Sequence, residues 1–143
     1  MMVSMLGGNV FVPDAPDMKD RLTGIQINAR IWNVGSPSVA TEWSLMVVPQ
    51  GMLPVIAQLT EAPELLRVSG PINSAVIRGS DSLDKRTQAT SIRIQIIEGS
   101  LLFYAPLPKS VVLEPHTRLE LTVNDILGKP TTTTKLMGDW LQR

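Results

Sequence analysis

Ile25, Ile27, Ala29 and Ile31 alternate with Gln26, Asn28, Arg30 and Trp32, and no other feature of the chain narrows its fold as much. A repeat of two places successive side chains on opposite faces of an extended strand, whereas a helix repeats every ~3.6 residues. The same rhythm returns in Trp43, Leu45 and Val47 against Glu42 and Ser44. It returns again in Leu119, Leu121 and Val123 against Arg118, Glu120 and Thr122. Valine (13), isoleucine (11) and threonine (11) account for 35 of the 143 residues, and β-branched side chains pack well on a pleated surface. Ten glycines and 11 prolines punctuate the chain at the spacing of turns between short strands. The sequence therefore reads as all-β, with seven to nine short strands in two packed antiparallel sheets.

The pattern divides the chain into three parts. Residues 1–21 form a lead-in or edge strand, 22–136 the β domain, and 137–143 a tail without periodicity. Asn33 to Ser38, with Gly35, carries turn chemistry, so the runs 25–32 and 39–48 are expected to make a hairpin. Residues 53–60 and 72–78 read as strands, and 62–68 as either a strand or a helical turn opened by Pro63. The polar stretch 79–90 has room for one helical turn. The run 92–104 is the strongest in the chain, and Gly99 within it marks either a bulge or a turn. Val111 to Leu113 is a short element, Pro115 and His116 form a turn, and Thr131 to Leu136 makes an edge strand.

Residues 27–48, INARIWNVGSPSVATEWSLMVV, resemble the strand, Asn-x-Gly turn, strand unit of bacterial immunoglobulin-like modules. Ile96 to Tyr104, with Gly99, Leu101 and Phe103, is similar to a strand of telokin-like domains in exported bacterial proteins. Leu119 to Gly128, ending in an Asp-x-x-Gly turn at Asp125, follows the same pattern. The resemblance covers about a third of the chain and implies an immunoglobulin-like β-sandwich of seven to nine strands with one or two short helical turns. Trp43 would take the place of the buried core tryptophan, and Ala29 or Ile31 the place of a core cysteine. It also implies a non-enzymatic module, exported or displayed from a membrane, with no shared catalytic residues.

The inventory of reactive side chains points the same way. There is no cysteine, which removes disulfides, thiolate metal sites and cysteine nucleophiles. Thirteen basic residues balance 13 acidic ones, without the basic excess that phosphate-backbone binding requires, so no nucleic-acid partner is expected. Arg78, Lys85, Arg86 and Arg93 cluster by sequence, but Asp81 and Asp84 offset them and no aromatic residues interleave for base stacking. Asp14, Asp17 and Asp20, and the pair Asp81 and Asp84, suggest a calcium loop only weakly, because basic residues sit among them and the spacing is not that of an EF-hand. His116, the single histidine, lies in a turn beside Glu114 and lacks a nucleophile frame. No catalytic residue, metal or cofactor is expected.

The first 12 residues are apolar but interrupted by Gly7, Gly8 and Asn9, and too short for the ~20 residues of a membrane span. With no signal peptide among these residues, attachment to a membrane is expected through a segment outside them, with an exported ectodomain favoured over a cytoplasmic protein. Parity places Trp32 and Arg30 on the face opposite the isoleucines, and Met46 and Val48 opposite Leu45 and Val47. Those four are the candidate interaction face, since exposed tryptophan and aliphatic side chains mark partner surfaces. The alternative is a self-assembling structural subunit of a virion or surface appendage, pairing copies through Thr131 to Thr134.

Overall fold

In the computed structural model, residues 1–13, 21–35, 37–60, 65–69, 74–78, 82–87, 91–92 and 96–141 are described. The main sheet has seven strands: β1 (Met2–Phe11), β2 (Thr23–Trp32), β4 (Glu42–Val48), β5 (Val55–Thr60), β9 (Ile97–Ala105), β10 (Arg118–Asn124) and β11 (Pro130–Leu136). Two smaller pairs join β3 (Ser38–Val39) to β8 (Ser91–Ile92), and β6 (Leu65–Ser69) to β7 (Ser74–Arg78). Helices α1 (Leu83–Thr87), α2 (Lys109–Val112) and α3 (Met137–Leu141) are each about one turn long.

The sheet runs β1-β2-β9-β5-β4-β10-β11, and every paired neighbour is antiparallel. It curls until its two end strands meet, where the Thr131 hydroxyl donates to the Met1 carbonyl at 3.3 Å. The architecture is thus a nearly closed, barrel-like sheet and not two packed sheets. Strand alternation marks one buried face per strand and does not distinguish a sheet packed on another from a sheet wrapped on itself. Seven strands that alternate in direction leave β1 and β11 pointing the same way.

The expected hairpin between β2 and β4 does not form. Ile25, Ile27, Ala29 and Ile31 lie opposite Phe103, Leu101, Gly99 and Ile97 of β9, while the other edge of β2 is taken by β1. The Asn33–Ser38 turn leads instead into β3. Gly99 is neither bulge nor turn, because the β2–β9 register passes through it without a shift; the shift lies in β1, between Met5 and Gly7. Residues 65–69 are strand, while 62–64, the start of the stretch read as either strand or helical turn, lie outside the described residues; Val111 belongs to a helix. Among the described residues three short helices occur, where at most one or two were expected.

The inward faces of the strands make one core. Ile25, Ile27, Ile31, Leu45, Val47, Leu101, Phe103, Leu119, Leu121 and Val123 are all sealed from solvent. Trp43 is buried with them, and its indole N–H donates to the Thr87 hydroxyl at 3.2 Å, docking α1 against the end of the barrel where β1 begins. Thr87 in turn donates to the Leu83 carbonyl. The opposite end is closed by α2 and α3. Thr23 donates to the Leu107 carbonyl at 2.7 Å, Thr117 to the Val111 carbonyl at 2.8 Å, and the Met137 N–H to the Thr117 carbonyl at 2.8 Å. The tail 137–141 is therefore part of the core, with Met137 and Trp140 buried.

Candidate interaction surface

Arg30, Trp32, Met46 and Val48 all point outward, as strand parity requires, and Trp32, Met46 and Val48 are half-buried. The structure does not bring the four together. Arg30 and Trp32 are on β2, Met46 and Val48 are on β4, and β9 and β5 run between them. They belong to two separate surfaces.

The first surface is the rim at the end where β1 begins. Met2 lies opposite Trp32 in the β1–β2 register. Ile96 precedes the residue that pairs with Ile31, which brings it to the other side of Trp32, and it is exposed. Val34, two residues beyond β2, is 74% exposed. Below this cluster, Arg30 pairs with Glu98 across the strands at 3.1 Å. Farther round the same rim stands the β10–β11 turn, with Ile126 exposed and Leu127 90% exposed at its tip.

That turn is held rigidly. The Asp125 carboxylate accepts the N–H of Leu127 at 2.9 Å and of Lys129 at 2.8 Å. The Gly128 N–H donates to the Asp125 carbonyl at 3.0 Å, with Gly128 at φ 81°, a conformation that side chains disfavour. Thr41 clamps the turn from the side, its N–H donating to the Asn124 carbonyl at 2.9 Å and its hydroxyl to the Asp125 carbonyl at 3.0 Å. Turn tips usually carry Gly, Asn, Asp or Ser. Here two large aliphatic side chains occupy a preorganised tip, and preorganisation reduces the entropy that a partner must remove on binding. The sequence signal was present: Ile126 and Leu127 stand between the turn residues Asn124, Asp125 and Gly128.

The second surface is on the outside of β5, β4, β10 and β11. Met46 is flanked by Ile56, 72% exposed, and by Glu120; Val48 is flanked by Arg118. Leu136 lies on the far side of Arg118. The Arg118 Nε–H donates to Glu120 at 3.0 Å, so an ion pair divides this apolar surface. Met52 and Leu53 stand beyond it in the β4–β5 turn, Leu53 84% exposed.

The outward face of β1, β2 and β9 is covered in part. β6 lies against β1, and outward-facing Asn9, Gln26 and Leu102 are buried. Asn9 donates to the Gln26 side-chain oxygen at 3.0 Å, and Gln26 to that of Asn28 at 2.6 Å, so a polar chain crosses this face. Nearby, the Phe11 ring lies over Gly24 and meets Tyr104 edge-on, with centroids 6.0 Å apart.

Burial raises the pKa of Tyr104 above its usual value of 10.0. A tyrosine whose folded pKa is raised contributes its full stabilisation below the unfolded value and loses it as pH climbs through the folded one. Stability should therefore fall above pH ~10, less steeply in Tyr104→Phe. Because Tyr104 is the one tyrosine in the chain, its phenolate absorbance titrates it alone. A midpoint at or below 10.0 would contradict this burial.

The remaining sequence candidates are dispersed. His116 is exposed in the turn before β10, its Nδ1 2.9 Å from the Glu114 carboxylate. Arg86, in α1, donates to the Glu98 carbonyl at 2.7 Å. Arg78 ends β7, while Asp84 and Lys85 lie in α1. Asp14, Asp17, Asp20, Asp81 and Arg93 lie outside the described residues. Among the described residues, no three His, Asp or Glu side chains converge as metal ligands, and no helix is long and apolar enough to cross a membrane. Comparison of the chain with models of protein families, with curated proteins and with solved structures finds no match.

Proposed function

We propose that this chain is a non-enzymatic binding module that presents the apolar rim of its barrel to a partner protein or surface ligand. The observation that carries this reading is the rigid β10–β11 turn, where Asp125 and Thr41 hold Ile126 and Leu127 out in solvent. Trp32, Val34, Ile96 and Met2 extend the apolar character round the same end. A buried leucine side chain contributes ~2 kcal/mol on transfer from water, so a partner covering Leu127 and one neighbour gains a substantial share of a micromolar affinity. This reading does not rest on the resemblance to bacterial immunoglobulin-like modules. Export or display outside the membrane is part of the proposal, and protease treatment of intact cells tests it: degradation of the chain supports display, and protection opposes it.

A photo-crosslinking residue at position 127 or 34, introduced in the native cells, tests the binding surface. Discrete adducts at both positions, and none from position 44 on the outer wall, are the expected result. Adducts equal at all three positions, or absent from 127 and 34, would refute the rim as the working surface. Trp32→Ala should keep the fold, losing ~1–2 kcal/mol against the 3–5 typical of a fully buried tryptophan, while the adducts weaken. An unfolded Trp32→Ala would instead make this residue part of the core.

A second reading, the self-assembling structural subunit, is favoured by one observation. β11 ends the sheet order and exposes Thr132 and Thr134 without a charged side chain on that face. A crosslinker at position 132 that joins two copies of the chain would move the assignment to this reading.

A further inference from the structure

Among the described residues nine large apolar side chains are exposed, and five of them gather at the end of the barrel where β1 begins: Met2, Val34, Ile96, Ile126 and Leu127. The meeting of the two end strands makes them neighbours. The Thr131 hydroxyl reaches the Met1 carbonyl, so the β10–β11 turn stands beside the start of β1, where Met2 faces Trp32. The turn also leaves few backbone donors to water. The Asp125 N–H donates to the Lys129 carbonyl at 3.0 Å, and the N–H groups of Leu127, Gly128 and Lys129 all donate to Asp125. The β4–β5 turn at the opposite end, which exposes Met52 and Leu53, is closed by one such bond, from the Met52 N–H to the Pro49 carbonyl at 3.3 Å. A backbone whose donors are satisfied internally loses little on entering hydrocarbon, which offers no acceptors.

We infer that the rim docks on a phospholipid bilayer bearing anionic headgroups, with Ile126 and Leu127 inserted among the acyl chains. This partner follows only if the rim is the working surface proposed above. Side-chain chemistry favours lipid over a protein groove. Protein hot spots are enriched in Trp, Tyr and Arg, with Leu and Val under-represented, whereas the projecting residues here are Ile126, Leu127 and Val34. The charges fit as well. Asp125 spends its carboxylate on N–H groups of the turn itself, while the exposed Lys129 beside the tip has no ion pair among the described residues. A lysine so placed meets lipid phosphate with its ammonium and lays its aliphatic stem along the inserted tip. Trp32, half-buried beside Met2, comes to headgroup level, where tryptophan is favoured.

The purified chain is sedimented with vesicles of phosphatidylcholine containing a minority of phosphatidylglycerol. It should pellet with them, and Leu127→Ser should lower the partitioning roughly tenfold or more. Leu53→Ser makes the same change at a similarly exposed side chain of the opposite end and should leave partitioning unchanged. Both leucines stand in solvent, so both variants keep the fold. Lys129→Gln should weaken binding roughly fivefold. As a second measurement, vesicles with chains brominated near the headgroup should quench the tryptophan fluorescence of the chain. Trp32→Phe should abolish that quenching, because Trp43 and Trp140 are buried in the core. Failure to pellet with the vesicles, or equal losses from Leu127→Ser and Leu53→Ser, would overturn the bilayer as partner. If the chain ignores vesicles while protein adducts form from positions 127 and 34, the rim stands as the working surface and its partner is a protein. If vesicles and adducts both fail, the rim reading falls as well.

Discussion

Gly8→Ala should detach β1 from the barrel and cost more than about 3 kcal/mol, a large share of the ~5–15 kcal/mol that holds a domain together. Gly8 lies opposite Ile27, and a Cβ built on it clashes with the Gln26 carbonyl oxygen and falls 2.9 Å from its carbon and 3.1 Å from the Ile27 Cα. All three atoms are backbone, so no rotamer change relieves the clash. Nor can β2 retreat, since its other edge is paired to β9 from Thr23 to Ile31. The strain must therefore break the β1–β2 ladder beside the bulge after Met5. Urea unfolding measures the loss, and rapid amide exchange over 7–11 locates it. Gly51→Ala is the contrast: nothing lies within 4 Å of its Cβ, and only its φ of 73° opposes a side chain, a cost of about 1–2 kcal/mol. If the two variants unfold at the same urea concentration, Gly8 is not buried against the backbone of β2.

The second large effect is expected at the closed end. Trp140→Ala removes a fully buried indole beside Met137, a change that typically costs 3–5 kcal/mol. The site has little room to collapse, because α3 is tied down by the N–H groups of Met137 and Gly138, which donate to the carbonyls of Thr117 and Pro115 at 2.8 and 2.9 Å. Trp140→Phe should be much milder, at about 1 kcal/mol. The indole N–H finds no hydrogen-bond acceptor among the described residues, so the phenyl ring keeps most of the apolar contact and removes a buried donor. Guanidinium unfolding of the two variants gives the comparison. A loss below about 1 kcal/mol in Trp140→Ala would mean that α3 is not part of the core.

Strands were legible in the sequence where one face is buried and the other wet. Ile25 to Ile31, Trp43 to Val47 and Leu119 to Val123 alternate, and each became a strand with those side chains inward. The closure of the sheet was not legible, because a wall of a barrel and a layer of a sandwich impose the same alternation. The first residues were readable as a lead-in or edge strand, but not their place against β2, because Gly7 and Gly8 look like a break while Gly8 in fact allows close approach to the β2 backbone. The false hairpin came from turn chemistry at Asn33–Ser38, where a local signal was outweighed by the long-range match of Ile25 and Ile27 to Phe103 and Leu101. Trp32 and Met46 were readable as outward-facing, but whether they share a surface depends on strand order, which the pattern does not encode. Ile126 and Leu127 were the missed residues, concealed inside a stretch read only as a turn.

Everything said of the rim depends on β2 running between β1 and β9. Nuclear Overhauser contacts between backbone protons test that order directly. The structure predicts cross-strand contacts from Ile27 to both Gly8 and Leu101, and from Gly24 to Tyr104. Contacts from the same β2 protons to Leu45 or Val47 of β4, with none to β9, would restore the hairpin, dissolve the barrel and separate Trp32 from Ile96.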